Sequence, residues 1–135
     1  MKIKKIDHLG IIVPKLEEGI YLFREGLKLS FIKEEELPEW NCKIAFFQCG
    51  EVLIELVEPT GPSDGIKFLE ERGGGLHHIA FEVEDIEKAF TDAKPIFVTK
   101  TDSITSGAGE SKVFFLEEKT ILNMPTEFVE LKRRD

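Results

Sequence analysis

The chain uses one phrase twice. Ile6-Asp7-His8-Leu9-Gly10-Ile11 near the start is echoed by Leu76-His77-His78-Ile79-Ala80-Phe81 near the middle. Alternating positions make each an apolar strand with a histidine set into it. Each is followed, at a similar separation, by an apolar strand with one carboxylate: Ile54-Glu55-Leu56 and Val129-Glu130-Leu131. A repeat of about half the chain is too long for a solenoid unit. It predicts two fused modules packed as a pair, in which equivalent positions of both halves can converge on one cleft.

The rest of the chain fits that frame. In the first half a strand from Ile6 to Val13 ends at Pro14, which also suits a helix start. Leu16, Ile20, Phe23 and Leu27 then form one apolar helical stripe that closes near Gly26. Leu29 to Ile32 reads as a short strand and Lys33 to Glu39 as a charged loop. Lys43 to Cys49 and Val52 to Glu58 read as a hairpin around Gly50-Glu51, stopped by Pro59. Residues 59–75 form a turn-rich connector with one or two helical turns at Ile66, Phe68 and Leu69. It ends in Gly73-Gly74-Gly75, a tightly bent joint.

The second half repeats the order. A strand runs from Leu76 to Val83, and Asp85 caps a helix bearing Ile86, Ala89, Phe90 and Ala93. A short strand follows at Ile96 to Thr99, then a polar loop from Thr101 to Ser111, then strands at Val113 to Leu116 and Phe128 to Leu131. The expectation is a single α+β domain over residues 1–135. It has two tandem βαβββ modules (about 1–60 and 75–135, linker about 61–74) with pseudo-twofold symmetry, forming a curved mixed sheet around a metal-binding cleft.

Composition narrows the partners. With 26 acidic against 18 basic residues the net charge is −8, which opposes nucleic-acid binding. An anionic small molecule needs only a local cation and stays open. No apolar run reaches the ~20 residues needed to span a bilayer. No apolar signal core follows Met1-Lys2-Ile3-Lys4-Lys5, so a cytoplasmic protein is expected. Cys42 and Cys49 form neither a disulfide framework nor a CxxC thiolate site.

Glu55 sits among apolar neighbours on both faces of its strand, where a carboxylate is costly unless paired or metal-bound. Glu130 has a similar setting, with Phe128 on its own face. One such glutamate alone reads most simply as solvated or ion-paired, and one strand histidine as a packed core residue. Matching placement in both halves shifts the reading to a metal site of His8, Glu55, His78 and Glu130. His78 matches His8, since each precedes an apolar and then a small residue; His77 points the other way and reads as structural. Two imidazoles and two carboxylates suit a divalent ion such as cobalt, nickel, zinc, manganese or iron. Such an ion polarises a carbonyl and stabilises the enolate formed beside it, with Glu55 or Glu130 as base.

These segments resemble the vicinal oxygen chelate (glyoxalase/bleomycin resistance/dioxygenase) superfamily over nearly the whole chain. They are most similar to the methylmalonyl-CoA epimerases, chiefly through Gly75 to Ile86 and Leu53 to Pro59. The resemblance implies metal ligation by His8, Glu55, His78 and Glu130, with Glu130 in acid/base work. It also implies an acyl-CoA thioester substrate, and such small exposed sheets point to a homodimer. Two departures stand out: Ile44 lies where epimerases can carry a second glutamate base, and Glu117-Glu118-Lys119-Thr120 replaces a His-Pro-Lys-Ser type turn. Glyoxalase I (lactoylglutathione lyase), acting on a hemithioacetal, shares the ligand order. A non-catalytic small-molecule binder, as in antibiotic resistance, is a third reading.

Overall fold

The computed structural model describes residues 1–132. Its contacts divide the chain into two compact units: His8–His77, and Met1–Asp7 together with the chain from His78 onward. The division falls inside the first strand and after His77, so the connector at 59–75 belongs wholly to the first of these units.

In the unit His8–His77 the strands are β1 (Ile3–Ile12), β2 (Ser30–Leu37), β3 (Cys42–Cys49) and β4 (Val52–Pro59), in the order β2-β3-β4-β1. β1 and β4 are parallel; β2, β3 and β4 are antiparallel neighbours. Gly50 has φ 64° at the first of two loop positions between β3 and β4, the place where a type II′ hairpin favours glycine.

One face of this sheet is covered by α1 (Leu16–Tyr21) and the π-turn that continues it, Leu22–Gly26. Leu16 and Ile20 pack with Ala45, Phe47 and Leu56, flanked by Ile11, Phe23 and Phe31. Leu27 departs from the expected stripe and is 61% exposed, because the wider π-turn shifts the helical phase. α2 (Asp64–Arg72) is a full helix where one or two turns were expected. Ser63 caps its start and Gly73, in the left-handed region, ends it. At Gly74 a Cβ would stand 2.8 Å from the Ile12 carbonyl oxygen, so the close approach of the backbones requires glycine.

The stretch Lys33 to Glu39 is not a loop. Residues 33–37 continue β2 and pair with β3, with Glu35 opposite Ile44 and Leu37 opposite Cys42. Charges on a strand paired on one side only are a common protection of a sheet edge.

In the other unit the order is β5-β8-β7-β6, with β5 (Gly75–Val83), β6 (Thr105–Ser106), β7 (Lys112–Phe115) and β8 (Thr126–Glu130). β5 and β8 are parallel, β7 antiparallel to both β8 and β6. α3 (Ile86–Ala93) is capped by Asp85, which accepts from the Lys88 amide at 3.2 Å. Ile86, Ala89 and Ala93 bury against Val83, Phe114 and Phe128, the last two rings stacked at 4.8 Å. The expected strand at Ile96 to Thr99 shrinks to one bridge, Thr99 to Leu116; the edge is formed instead by β6, inside the expected polar loop.

The fold is therefore α+β, with the β-α-β-β-β order used twice and mixed pairing in each half. No helix among the described residues is long and apolar enough to cross a membrane.

Candidate metal centre

Strand register decides which side chains share a face, because residues paired across a ladder point to the same side. In the unit His8–His77, Gly10 pairs with Glu55 and Glu55 with Phe46. His8 and Glu55 therefore face away from α1, on the side of Ile44 and Phe46. Their Nε2 and Oε1 atoms lie 3.5 Å apart, with both side chains buried. The Phe46 ring meets the imidazole edge-on at 6.0 Å between centroids.

Glu58, three residues after Glu55, takes the opposite face. Its Oε1 accepts from the Leu16 amide at 2.7 Å, at the start of α1. A carboxylate there satisfies an orphan helix amide and suits the helix dipole.

The other unit repeats this arrangement. Ala80 pairs with Glu127, as Gly10 pairs with Glu55. Glu127 is buried, and its Oε1 lies 3.7 Å from His78 Nε2. Glu130 stands on the face of Phe128, toward the helix, and its Oε1 accepts from the Ile86 amide at 3.1 Å. Glu130 is thus the counterpart of Glu58, and Glu127 the counterpart of Glu55. Of the four expected ligands, His8 and Glu55 meet directly; His78 meets Glu127, while Glu130 is engaged at the N-terminus of α3. The physical reason is the two-residue period of a strand: a shift of three positions reverses the face.

A signal for Glu127 was present in the sequence. Ile54-Glu55-Leu56-Val57-Glu58 and Thr126-Glu127-Phe128-Val129-Glu130 have the same glutamate spacing. His77 behaves as expected, its ring edge-on to Phe68 of α2 at 4.9 Å. Sequence reasoning also missed Thr105. It reaches the His78 face through Val113 and Val129, and its Oγ1 is the only buried side-chain polar atom without a hydrogen-bond partner among the described residues.

The donor chemistry fits a divalent ion. Two ligand atoms each about 2.1 Å from one ion, at tetrahedral or octahedral angles, lie about 3.0–3.4 Å apart. The His–Glu separations of 3.5 and 3.7 Å are close to that range. Near this face, burial first, then the carboxylates of Glu55 and Glu39, push the Cys42 thiol up to about 12. At neutral pH the thiol is protonated.

Paired βαβββ halves, each with a facing His–Glu pair, define the class, and sequence comparison agrees. The Glyoxalase/Bleomycin resistance protein/Dioxygenase superfamily profile matches residues 7–115, and the chain belongs to that superfamily. It is 32% identical over 130 residues to the uncharacterized protein YqjC of Bacillus subtilis, covering 95% of this chain and 93% of that one. It is 31% identical over 121 residues to the mitochondrial methylmalonyl-CoA epimerase of Mus musculus, covering 87% and 68%. A Streptomyces coelicolor methylmalonyl-CoA epimerase variant, solved in complex with 2-nitronate-propionyl-CoA, superposes with a TM-score of 0.92. It is 26% identical and the match covers 96% of each chain.

Proposed function

We propose that this protein is a divalent-metal-dependent epimerase acting on methylmalonyl-CoA, formed by the whole chain as one vicinal-oxygen-chelate domain. The observation that carries the proposal is the register-matched repeat of a His–Glu pair, His8–Glu55 and His78–Glu127. The epimerase relatives supply the substrate class.

In this reading His8, Glu55, His78 and Glu127 hold one ion per chain, and Glu127 takes the place first expected of Glu130. When bound, the ion supplies Lewis acidity to the substrate thioester carbonyl. The protein's own groups then move the proton. Glu127 and Glu55 are the acid/base pair: one, as carboxylate, takes the C2 proton, and the other, already protonated, gives its own proton to the opposite side of the carbon. His8 and His78 hold their partner carboxylates in place, and the buried apolar surround of Phe46 and Ile44 keeps water from the reacting carbon. Glu130 and Glu58 act at one remove, by anchoring the helices behind the strands.

Ile44, only 1% exposed, favours a second reading. An apolar residue where epimerases can carry a base leaves the lactoylglutathione lyase activity of the same superfamily in play. One assay separates the two. Metal-loaded protein is incubated in D2O with methylmalonyl-CoA, and separately with methylglyoxal plus a thiol. Deuterium at C2 of the first is the expected result; thioester from the second alone would replace the epimerase by the lyase. No turnover of either would return the protein to the small-molecule binders. The reading also takes the protein to be a cytoplasmic homodimer, for which sedimentation gives the subunit number.

A further inference from the structure

The β2 register places a cation on the substrate side of the sheet. Phe31 pairs with Phe47 and packs on the α1 side. A bulge follows, and Lys33 rather than Ile32 pairs with Phe46. The extra residue reverses the face of everything after it, a common use of bulges beside functional sites. Lys33 and Glu35 thereby join Phe46 and Ile44 on the face that carries His8 and Glu55, while Glu34 and Glu36 are exposed on the other.

Lys33, Phe46 and Glu55 stand opposite one another on three adjacent strands. At about 4.8 Å per strand, the Lys33 backbone lies roughly 10 Å from that of Glu55. The Lys33 ammonium sits 5.6 Å from the centre of the Phe46 ring and 3.1 Å from Glu35 Oε1. Its side chain is 42% exposed. Among the described residues at the β1–β4 positions that share this face, the other lysine is Lys4, four residues before His8 on β1 and ion-paired with Glu82 at 3.2 Å. The row thus offers, in order, a His–Glu pair, an aromatic floor and an ammonium. That order matches a substrate with a carbonyl oxygen, a short carbon body and an anionic group beyond it.

The geometry points to Lys33 as the specificity-determining residue that binds the free carboxylate of a malonyl-type thioester, with Glu35 holding the ammonium in place. This assignment rests on the proposal that His8 and Glu55 line the substrate site, and goes beyond it by naming what selects the substrate. A simple acyl thioester has no group for Lys33 to meet.

The test compares two ligands that differ by one carboxylate. Malonyl-CoA and acetyl-CoA are titrated by calorimetry into the cobalt-supplemented protein, its Lys33→Met variant and its Lys33→Arg variant. Thermal midpoints verify that each variant is folded. A charge-assisted contact predicts that the native protein binds malonyl-CoA at least about tenfold more tightly than acetyl-CoA. Lys33→Met should abolish that preference with acetyl-CoA affinity unchanged within about twofold, and Lys33→Arg should retain most of it. No preference in the native protein, or an undiminished one in Lys33→Met, overturns the assignment. Deuterium exchange at C2 of methylmalonyl-CoA is read in parallel. Preference without exchange overturns the epimerase proposal and leaves Lys33 as the anion-selective residue; exchange without preference overturns Lys33 alone.

Discussion

Glu127 faces His78 across β8 and β5, its Oε1 3.7 Å from the imidazole Nε2, while its neighbour Glu130 turns to the other side of the sheet. Two glutamates three residues apart on one strand therefore do two different jobs. The same division separates Glu55 from Glu58 in the other half.

The helix-anchoring glutamates should matter for stability. Glu130→Ala removes the acceptor of the Ile86 amide, and Glu58→Ala that of the Leu16 amide. Each is expected to lower stability by about 1 kcal/mol, the usual scale for a helix-terminus acceptor. The effects should add, because the two anchors belong to different compact units. Urea midpoints of the single and double variants measure this. An unchanged midpoint in Glu130→Ala would mean the Ile86 contact contributes nothing.

Metal content should follow the histidines. Elemental analysis after dialysis is expected to give one divalent ion per chain. His8→Ala and His78→Ala should each remove most of it. Chelation of the native protein should lower its melting temperature, since an ion that binds only the folded chain stabilises it by mass action. Full retention of metal by both variants would refute the ligand set.

Cys42 predicts an alkaline limit. Its thiol is raised from 9.0 to about 12 in the folded protein, by burial first and then by Glu55 and Glu39. The folded state holds the proton more tightly, so this contribution to stability is complete below about pH 9 and is lost as pH rises toward 12. Denaturation midpoints from pH 8 to 10.5 should fall more steeply in the native protein than in Cys42→Ser. Parallel slopes would show that the thiol is not perturbed. Exposed Cys49 should react first with thiol reagents.

Gly74→Ala tests the bent joint. A methyl there meets the Ile12 carbonyl oxygen at 2.8 Å, on a backbone with φ 116°. A loss of about 2 kcal/mol or more is expected from thermal unfolding, since strain and clash combine. A neutral effect would show that the glycine run can relax.

Much of this was legible in the sequence, and the failures share one cause. Alternation located β1, β3, β4 and β5, and the doubled phrase gave the repeat and both histidines. What alternation within one strand cannot supply is its register against the next. Without it, the reading rests on Glu130 between the apolar Val129 and Leu131 and passes over Glu127, the one that faces the histidine. The same gap hid Lys33. Lys33-Glu34-Glu35-Glu36 reads as a solvated loop until pairing with β3 makes it a strand, and only the bulge after Phe31 decides which charges face the site. The Ile96 to Thr99 stretch failed in the opposite direction: apolar residues suggested a strand, yet Ile96 and Val98 are exposed and a single bridge forms.

The most direct test of the central claim compares Glu127→Gln with Glu130→Gln. Both metal-loaded variants are incubated in D2O with methylmalonyl-CoA, and deuterium at C2 is followed by mass spectrometry. Loss of a positioned acid/base group predicts a fall of about 10²–10⁴-fold in exchange for Glu127→Gln. Glu130→Gln keeps an oxygen for the Ile86 amide and should exchange within a few-fold of the native rate. Near-native exchange by Glu127→Gln, with collapse in Glu130→Gln, would contradict the account.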